Sequence, residues 1–293
     1  MVSIGVIQIK DLTMQYPNGK GVFGVDFEVK EGQVTGFLGP NGAGKTTTIR
    51  CLLGFLRGQK GECFINGKEC FANAPENMRG VGFIAGEPAF PDGMTGLEYL
   101  EYLCEVRGLK DKARMHELIK YFEFDPSGKI KKMSKGMKQK TAIVAAFMHD
   151  PAVLILDEPT SGLDPLMQNK FVELILSEKK KGKTILMSSH MFDEVEKTCE
   201  HVVIIKDGRI VARDLVKSLK RTQKVIFTVT SPEKIRTSFD TQNIGDNKYE
   251  ITLPYDQVDK LVKELSKFKV DWIKMKEQTL ENIFLDLYKG ENK

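Results

Sequence analysis

Apolar and polar residues alternate near the start of this chain and give way further on to unbroken apolar runs. Ile7 and Ile9 flank Gln8, and Val25, Phe27 and Val29 flank Asp26 and Glu28, the period-two pattern of strands covered on one face. Asn66-Gly67 separates two short strand-like runs, residues 62–65 and 68–71, and predicts a hairpin. A helical period follows: Thr95 and Glu98 have the spacing of a capping box, and Leu97, Leu100, Leu103 and Cys104 recur at helical intervals. From about Asp150 the pattern becomes strand, helix, strand. Residues 152–156 are continuously apolar, as in a strand covered on both faces. Asp164 suits the N-cap of a helix that starts at Pro165. Residues 184–188 and 201–205 read as further strands, and Asp207-Gly208 as a turn. Beyond about Arg213 the pattern shifts again, with strands expected at 225–230, 249–253 and 270–276 and helices at 256–267 and 280–288.

Strands alternating with helices predict an α/β core with a mainly parallel sheet, and the tail a small α+β unit. The expected boundaries are 1–212 and 213–293, and 293 residues are more than one compact domain usually holds. Composition changes this picture little: 41% hydrophobic and 29% charged residues suit a globular protein with a real core. The formal charge of +4, from 44 basic and 40 acidic groups, gives no reason to expect a nucleic-acid partner. Five scattered cysteines without a CxxC pair read as reduced thiols in a cytoplasmic protein. The N-terminus lacks the pattern of a signal peptide, and no run approaches the roughly 20 apolar residues that span a bilayer. Any work at a membrane is therefore expected to pass through another chain.

The chemistry begins at Gly39-Pro40-Asn41-Gly42-Ala43-Gly44-Lys45-Thr46, a full match to G-x-x-x-x-G-K-[ST]. Residues 34–38 are strand-like and 47–53 helical, which places this loop at a helix N-terminus. Glycines let backbone N–H groups converge on phosphate oxygens, and the helix dipole adds favourable potential. Lys45 is expected on the β- and γ-phosphates, the Thr46 hydroxyl on Mg²⁺ and Thr47 on the α-phosphate. The apolar run 152–156 leads into Asp157-Glu158. Asp157 fits a carboxylate supporting Mg²⁺, and Glu158 a general base for the water attacking the γ-phosphate.

Around these residues the chain resembles the ATPases of ABC transporters. Asp157-Glu158-Pro159-Thr160 and Ser161-Gly162-Leu163-Asp164 resemble the family's Walker B and D-loop. Met133-Ser134-Lys135-Gly136-Met137-Lys138-Gln139 resembles its signature sequence, in the SKGM form rather than LSGGQ. Ser188-Ser189-His190 resembles the switch-histidine segment, and Tyr16 the aromatic that stacks on adenine. One position departs: residues 81–88 align with the Q-loop, where Gly86 stands in place of glutamine with Glu87 beside it. Either Glu87, as a candidate metal ligand, or a water takes the glutamine's place.

The resemblance implies a P-loop NTPase fold: a RecA-like core, an antiparallel β layer and a helical subdomain at about 94–141. It implies ATP and Mg²⁺ as cofactors, with Glu158, His190 and Lys45 catalytic. Ser134, Gly136 and Asp164 would close on ATP held by a second copy, giving a head-to-tail homodimer. It also implies a separate transmembrane permease, met near residues 90–102, and a place on the inner face of the cell membrane. Residues 279–285 resemble the tail of ATPases serving ABC-2-type exporters of drugs, antibiotics, peptides or ions. Two rivals remain: a soluble ABC-type ATPase acting on ribosomes or DNA, and a nucleotide-gated regulatory subunit with little turnover. A GTPase is disfavoured, because Asn247-Lys248-Tyr249-Glu250 lacks the aspartate of a base-reading motif.

Overall fold

The computed structural model describes residues 5–219, 222–230, 237–277 and 279–289. It separates into two compact units, Met1–Arg213 and Asp214–Lys293. In the first, β1 (Ile7–Gln15), β2 (Gly21–Val29) and β3 (Val34–Leu38) precede α1 (Lys45–Leu52), followed by β4 (Lys60–Ile65) and β5 (Lys68–Glu69). Then come α2 (Ala74–Gly80), β6 (Val81–Ile84), α3 (Gly96–Val106), α4 (Ala113–Tyr121) and α5 (Lys135–Phe147). The unit closes with β7 (Val153–Asp157), α6 (Pro165–Lys180), β8 (Thr184–Ser189), α7 (Phe192–Thr198), β9 (His201–Lys206) and β10 (Arg209–Leu215).

These strands form a four-stranded antiparallel layer, β2-β1-β4-β5, and a six-stranded sheet, β10-β9-β3-β8-β7-β6. From β9 to β6 the second sheet is parallel. Strands β3, β7 and β8 are buried along their whole length, as expected of a parallel sheet covered on both faces, and in β7 this shows as an unbroken apolar run up to Asp157. Helix α1 joins the two layers: Ile49, Cys51, Leu52 and Leu53 share one core with Ile7, Ile9 and Phe27 on one side and Ile155 and Leu186 on the other. The P-loop is thereby held on a helix packed from both sides.

Helices α3 to α5 form the helical portion, in which α5 packs on both α3 and α4. The capping box is present: Thr95 Oγ1 accepts from Glu98 N at 3.1 Å, and Thr95 N donates to Glu98 Oε2 at 2.6 Å. Elements α1, β5 and β10 differ from expectation for identifiable reasons. Helix α1 begins at Lys45 rather than at 47, because Gly44 supplies a left-handed N-cap with φ of 111°. Strand β5 stops at Glu69, whose own carboxylate accepts from Phe71 N at 2.9 Å and Ala72 N at 2.6 Å and turns the chain away. Strand β10 runs across the boundary expected at 212.

The second unit contains α8 (Val216–Leu219), β11 (Thr222–Val229), β12 (Thr241–Gly245), β13 (Lys248–Pro254), α9 (Val258–Leu265), β14 (Val270–Glu277) and α10 (Leu280–Lys289). Its sheet is antiparallel in the order β12-β13-β11-β14. Leu261 and Leu265 of α9 pack with Val225, Phe227, Ile251 and Leu253 to form a separate core. Leu280 and Ile283 of the tail helix are buried, while the side chain of Leu287 lies outside the described residues.

Candidate functional site

The register of the parallel sheet brings the motifs together. Leu38 at the end of β3 pairs with Ser189 at the end of β8, and Asp157 at the end of β7 pairs with Ser188. Three neighbouring strands thus deliver the P-loop, Asp157-Glu158 and His190 to one edge. Open parallel sheets bind their ligands at this carboxyl edge.

In the loop after β3, Gly42 and Gly44 take positive φ values of 83° and 111°. A Cβ on Gly44 would stand 2.6 Å from Val22 Cγ1, so a side chain is barred there by space as well as by conformation. Helix α1 has no side-chain cap and no acidic residue in its first turn. Its first N–H groups have no intrahelical carbonyl to bond, which suits an external anion. Lys45 is only 6% exposed. Its Nζ donates to Gly39 O at 2.6 Å and Pro40 O at 3.3 Å. The same ammonium lies 3.3 Å from Glu158 Oε1 as an ion pair, outside hydrogen-bonding geometry.

Asp157 is buried and fixed at both oxygens: Thr46 Oγ1 donates to Oδ2 at 2.8 Å and Ser188 Oγ to Oδ1 at 2.5 Å. Glu158 turns the chain with a φ of 48°, a left-handed conformation that costs a non-glycine residue about 1–2 kcal/mol. Its N–H donates to Ser188 Oγ at 3.0 Å and Ser188 O at 3.2 Å, which holds that turn. The carboxylate then meets Lys45 on one side, while Oε2 is hydrogen-bonded to Nδ1 of the exposed His190.

Two clefts open here. One, of about 330 Å³, is lined by Tyr16, Gly42, Gly44, Lys45, Thr46, Thr47 and Glu158. The other, of about 560 Å³, is lined by Thr46, Gly86, Glu87, Asp157, Glu158 and His190. Tyr16 is half-buried at the head of a turn in which its N–H donates to Lys20 O at 2.8 Å. Gly86 is the Q-loop residue facing the carboxylate, since a Cβ built there would stand 3.4 Å from Asp157 Oδ2. Glu87 is exposed on the same cleft. Among the described residues no group of three His, Cys, Asp or Glu is placed to hold a metal alone. Thr46 and Asp157 are hard oxygen donors, which fits Mg²⁺ completing its shell with phosphate oxygens and water.

Ser134, Gly136 and Asp164 are not part of either lining. Ser134 caps α5, its Oγ accepting from Met137 N at 3.2 Å, and Asp164 caps α6, accepting from Met167 N at 3.0 Å. Gly136 lies under the turn before α6: a Cβ there would be 3.0 Å from Gly162 O. Lys135 Nζ donates to Ser161 Oγ at 3.0 Å. Gln139 points inward instead, buried, with Nε2 donating to Pro159 O at 2.6 Å. The signature helix and the turn after Glu158 are thus braced within one chain. Sequence reasoning missed Ser188, which orients both acidic residues. The signal available was a hydroxyl near the end of an apolar strand.

The model of the ABC transporter family matches residues 22–161. Over 97% of this chain and 98% of the relative, the sequence is 35% identical to the bacitracin transport ATP-binding protein BcrA of Bacillus licheniformis. A solved structure of an ATP-binding subunit of an ABC transporter is 34% identical and aligns with a TM-score of 0.67 over 74% of this chain and 92% of that one. A dimeric ATP-binding cassette in a post-hydrolysis state, bound to ADP and Pi, aligns with a TM-score of 0.65 over 71% of this chain and 98% of its own. At 22% identity that last likeness is one of fold.

Proposed function

This chain belongs to the ATP-binding subunits of ABC transporters, and on that footing we propose that it drives export through a separate permease, as a head-to-tail pair. It binds ATP and hydrolyses it to ADP and phosphate. The observation that carries the mechanism is the meeting of Lys45, Asp157, Glu158 and His190 at the carboxyl edge of three adjacent strands.

The Lys45 ammonium, held over the P-loop by two carbonyls, is placed to turn to the β- and γ-phosphate oxygens, a stronger partner for a buried charge. Losing Lys45 as its counter-ion frees the Glu158 carboxylate to take a proton from water as the water oxygen attacks the γ-phosphorus. The bond to the β-phosphate oxygen breaks and ADP carries its electrons away. His190 holds Glu158 by its second oxygen and adds a donor at the γ-phosphate. Thr46 and Asp157 are the residues that would hold Mg²⁺, with Glu87 on the rim of the same cleft. The ion, when bound, neutralises charge between β- and γ-phosphate oxygens. Ser134, Gly136 and Asp164, outside the cis clefts, serve the nucleotide of the second copy.

Export is supported by end-to-end similarity to a bacitracin transport ATP-binding protein and by the tail helix. A drug, antibiotic, peptide or ion is the class of cargo. No described helix is long and apolar enough to cross a membrane. The pore is assigned to a separate permease, with this chain at the inner membrane face, on the strength of its similarity to transporter ATP-binding subunits. The permease contact is assigned to residues 90–102, a reading supported by the exposure of Tyr102 on α3, where the rings of Phe90 and Tyr99 pack at 5.2 Å. The test is co-purification with the membrane partner. Tyr102→Glu is expected to lose the partner while the isolated subunit still hydrolyses ATP, and equal recovery of the complex sinks the assignment.

A further inference from the structure

One buried carboxyl beside the site has no part in the chemistry above. Glu194 lies in the first turn of α7 and is 4% exposed. Its Oε2 accepts from Ser189 Oγ at 2.8 Å and from Thr160 Oγ1 at 3.3 Å, while Oε1 has no hydrogen-bond partner. The two hydroxyls come from different loops. Ser189 immediately precedes His190, and its Oγ also accepts from Met191 N at 2.9 Å, so it spans the bend that carries the histidine. Thr160 sits two residues after Glu158, in a turn closed by Ser161 N to Glu158 O at 3.1 Å and Leu163 N to Thr160 O at 3.1 Å.

The charged groups acting on Glu194 are Glu158 and His190, with no lysine or arginine among them. Burial pushes its carboxyl up to about 7, assisted by the Glu158 charge and opposed by the two hydroxyls and His190. A buried carboxyl with no lysine or arginine beside it, and with one oxygen unbonded, is a poor stabiliser. What Glu194 supplies is a single acceptor for two hydroxyls on two loops.

We propose that Glu194 is a positioning residue for hydrolysis: through Ser189 and Thr160 it ties the His190 bend to the turn after Glu158, and so fixes the contact between those two side chains. The inference rests on the hydrolytic reading of Glu158 and His190. A displacement of about 1 Å at reacting groups lowers a rate by up to about a hundredfold, and here it would leave the P-loop untouched. The effect therefore falls on kcat and not on KM.

The experiment measures ATP hydrolysis and binding of a fluorescent ATP analogue for the full chain and its variants. Glu194→Leu is expected to lower kcat by about tenfold to a hundredfold with KM changed by less than about threefold. Glu194→Gln, whose amide oxygen still accepts both hydroxyls, is expected to recover at least about a third of wild-type kcat. The Ser189→Ala, Thr160→Val double variant should match Glu194→Leu, and it carries the test should Glu194→Leu fail to fold. Wild-type kcat in either of these, or Glu194→Gln as impaired as Glu194→Leu, overturns the proposal. Glu158→Gln is run alongside: were it fully active, the hydrolytic reading itself would fail, and not this inference alone.

Discussion

At the carboxyl edge of the parallel sheet, the charged groups beside the phosphate loop are committed to one another. Lys45 meets Glu158, Asp157 holds Thr46 and Ser188, and His190 closes on the second oxygen of Glu158. At the start of α5 the arrangement is reversed. Ser134 and Lys135 are exposed, and Gln139, the buried polar side chain of the motif, faces inward to Pro159. The first region makes a nearly complete phosphate site within one chain. The second is rigidly braced from behind and presents its front to nothing in its own chain's clefts. A segment that is held firmly yet serves no site of its own chain is what a composite site between two copies requires.

The largest effects expected test that division. Glu158→Gln removes the base and should lower kcat by about 10²–10⁴ while ATP binding persists, as read by single-turnover hydrolysis and nucleotide retention. Gly136→Asp, which places a side chain against Gly162 O, should cost about 10² in kcat with little change in ATP affinity of the isolated chain. Mixing the two inactive variants is the sharper experiment. In a head-to-tail pair, one site of the mixed dimer collects both lesions and the other collects neither. Activity should therefore reappear on mixing. If the mixture stays as inactive as its parts, the signature segment does not act across the interface.

The cis region was far more legible in the sequence than the trans region, for a physical reason. Phosphate chemistry requires glycines, a lysine and a hydroxyl at fixed spacing on one loop, and a strand ending in two acids, so local order along the chain carries the site. The continuous apolar run at 152–156, most of it in β7, identified a strand buried on both faces in the same way. What stayed hidden depends on register between distant strands. Ser188 meets Asp157 only because β8 pairs with β7, and Glu194 reaches Thr160 only because α7 folds back onto the turn after β7. Strand β12 escaped notice because its residues, Thr241-Gln242-Asn243-Ile244-Gly245, show no apolar alternation on an edge that is mostly exposed. Gln139 aligned with the signature, yet its direction was set by the Pro159 carbonyl, which spacing alone does not reveal.

Within the cis region, Glu194 is the acid with one buried oxygen left unbonded and no lysine or arginine acting on it, and this sets the next effect in size. Its carboxyl titrates at about 7 in the folded chain against 4.5 ordinarily. Below 4.5 both states are protonated and no penalty exists. As pH rises from 4.5 towards 7 the unfolded chain is ionised while the folded one stays protonated, so stability is lost across that window and the loss levels off above 7. Glu194→Gln removes that penalty. It should leave stability unchanged near pH 4.5 and raise it by about 2–3 kcal/mol at pH 8, read by thermal or urea unfolding at both pH values. An equal gain at both would assign the effect to packing rather than ionisation.

The smallest effect concerns the far end of the cis cleft, where Tyr16 shares a lining with Lys45 and Thr47. Its backbone is pinned by a tight turn: Tyr16 N donates to Lys20 O at 2.8 Å, and Gly19 N donates to Tyr16 O at 2.9 Å. The ring is therefore presented by a stiff hairpin and not by a loop that must order on binding, so its contact should reach ground state and transition state alike. Removing an aromatic contact of that kind costs about 0.5–1.5 kcal/mol, which predicts a KM raised roughly threefold to tenfold in Tyr16→Ala with kcat unchanged. Tyr16→Phe keeps the ring and should bind as the wild type does. A fall in kcat at constant KM would instead mean that Tyr16 acts on the chemistry, and the boundary between a base-holding end and a phosphate-cleaving end of the cleft would have to be redrawn.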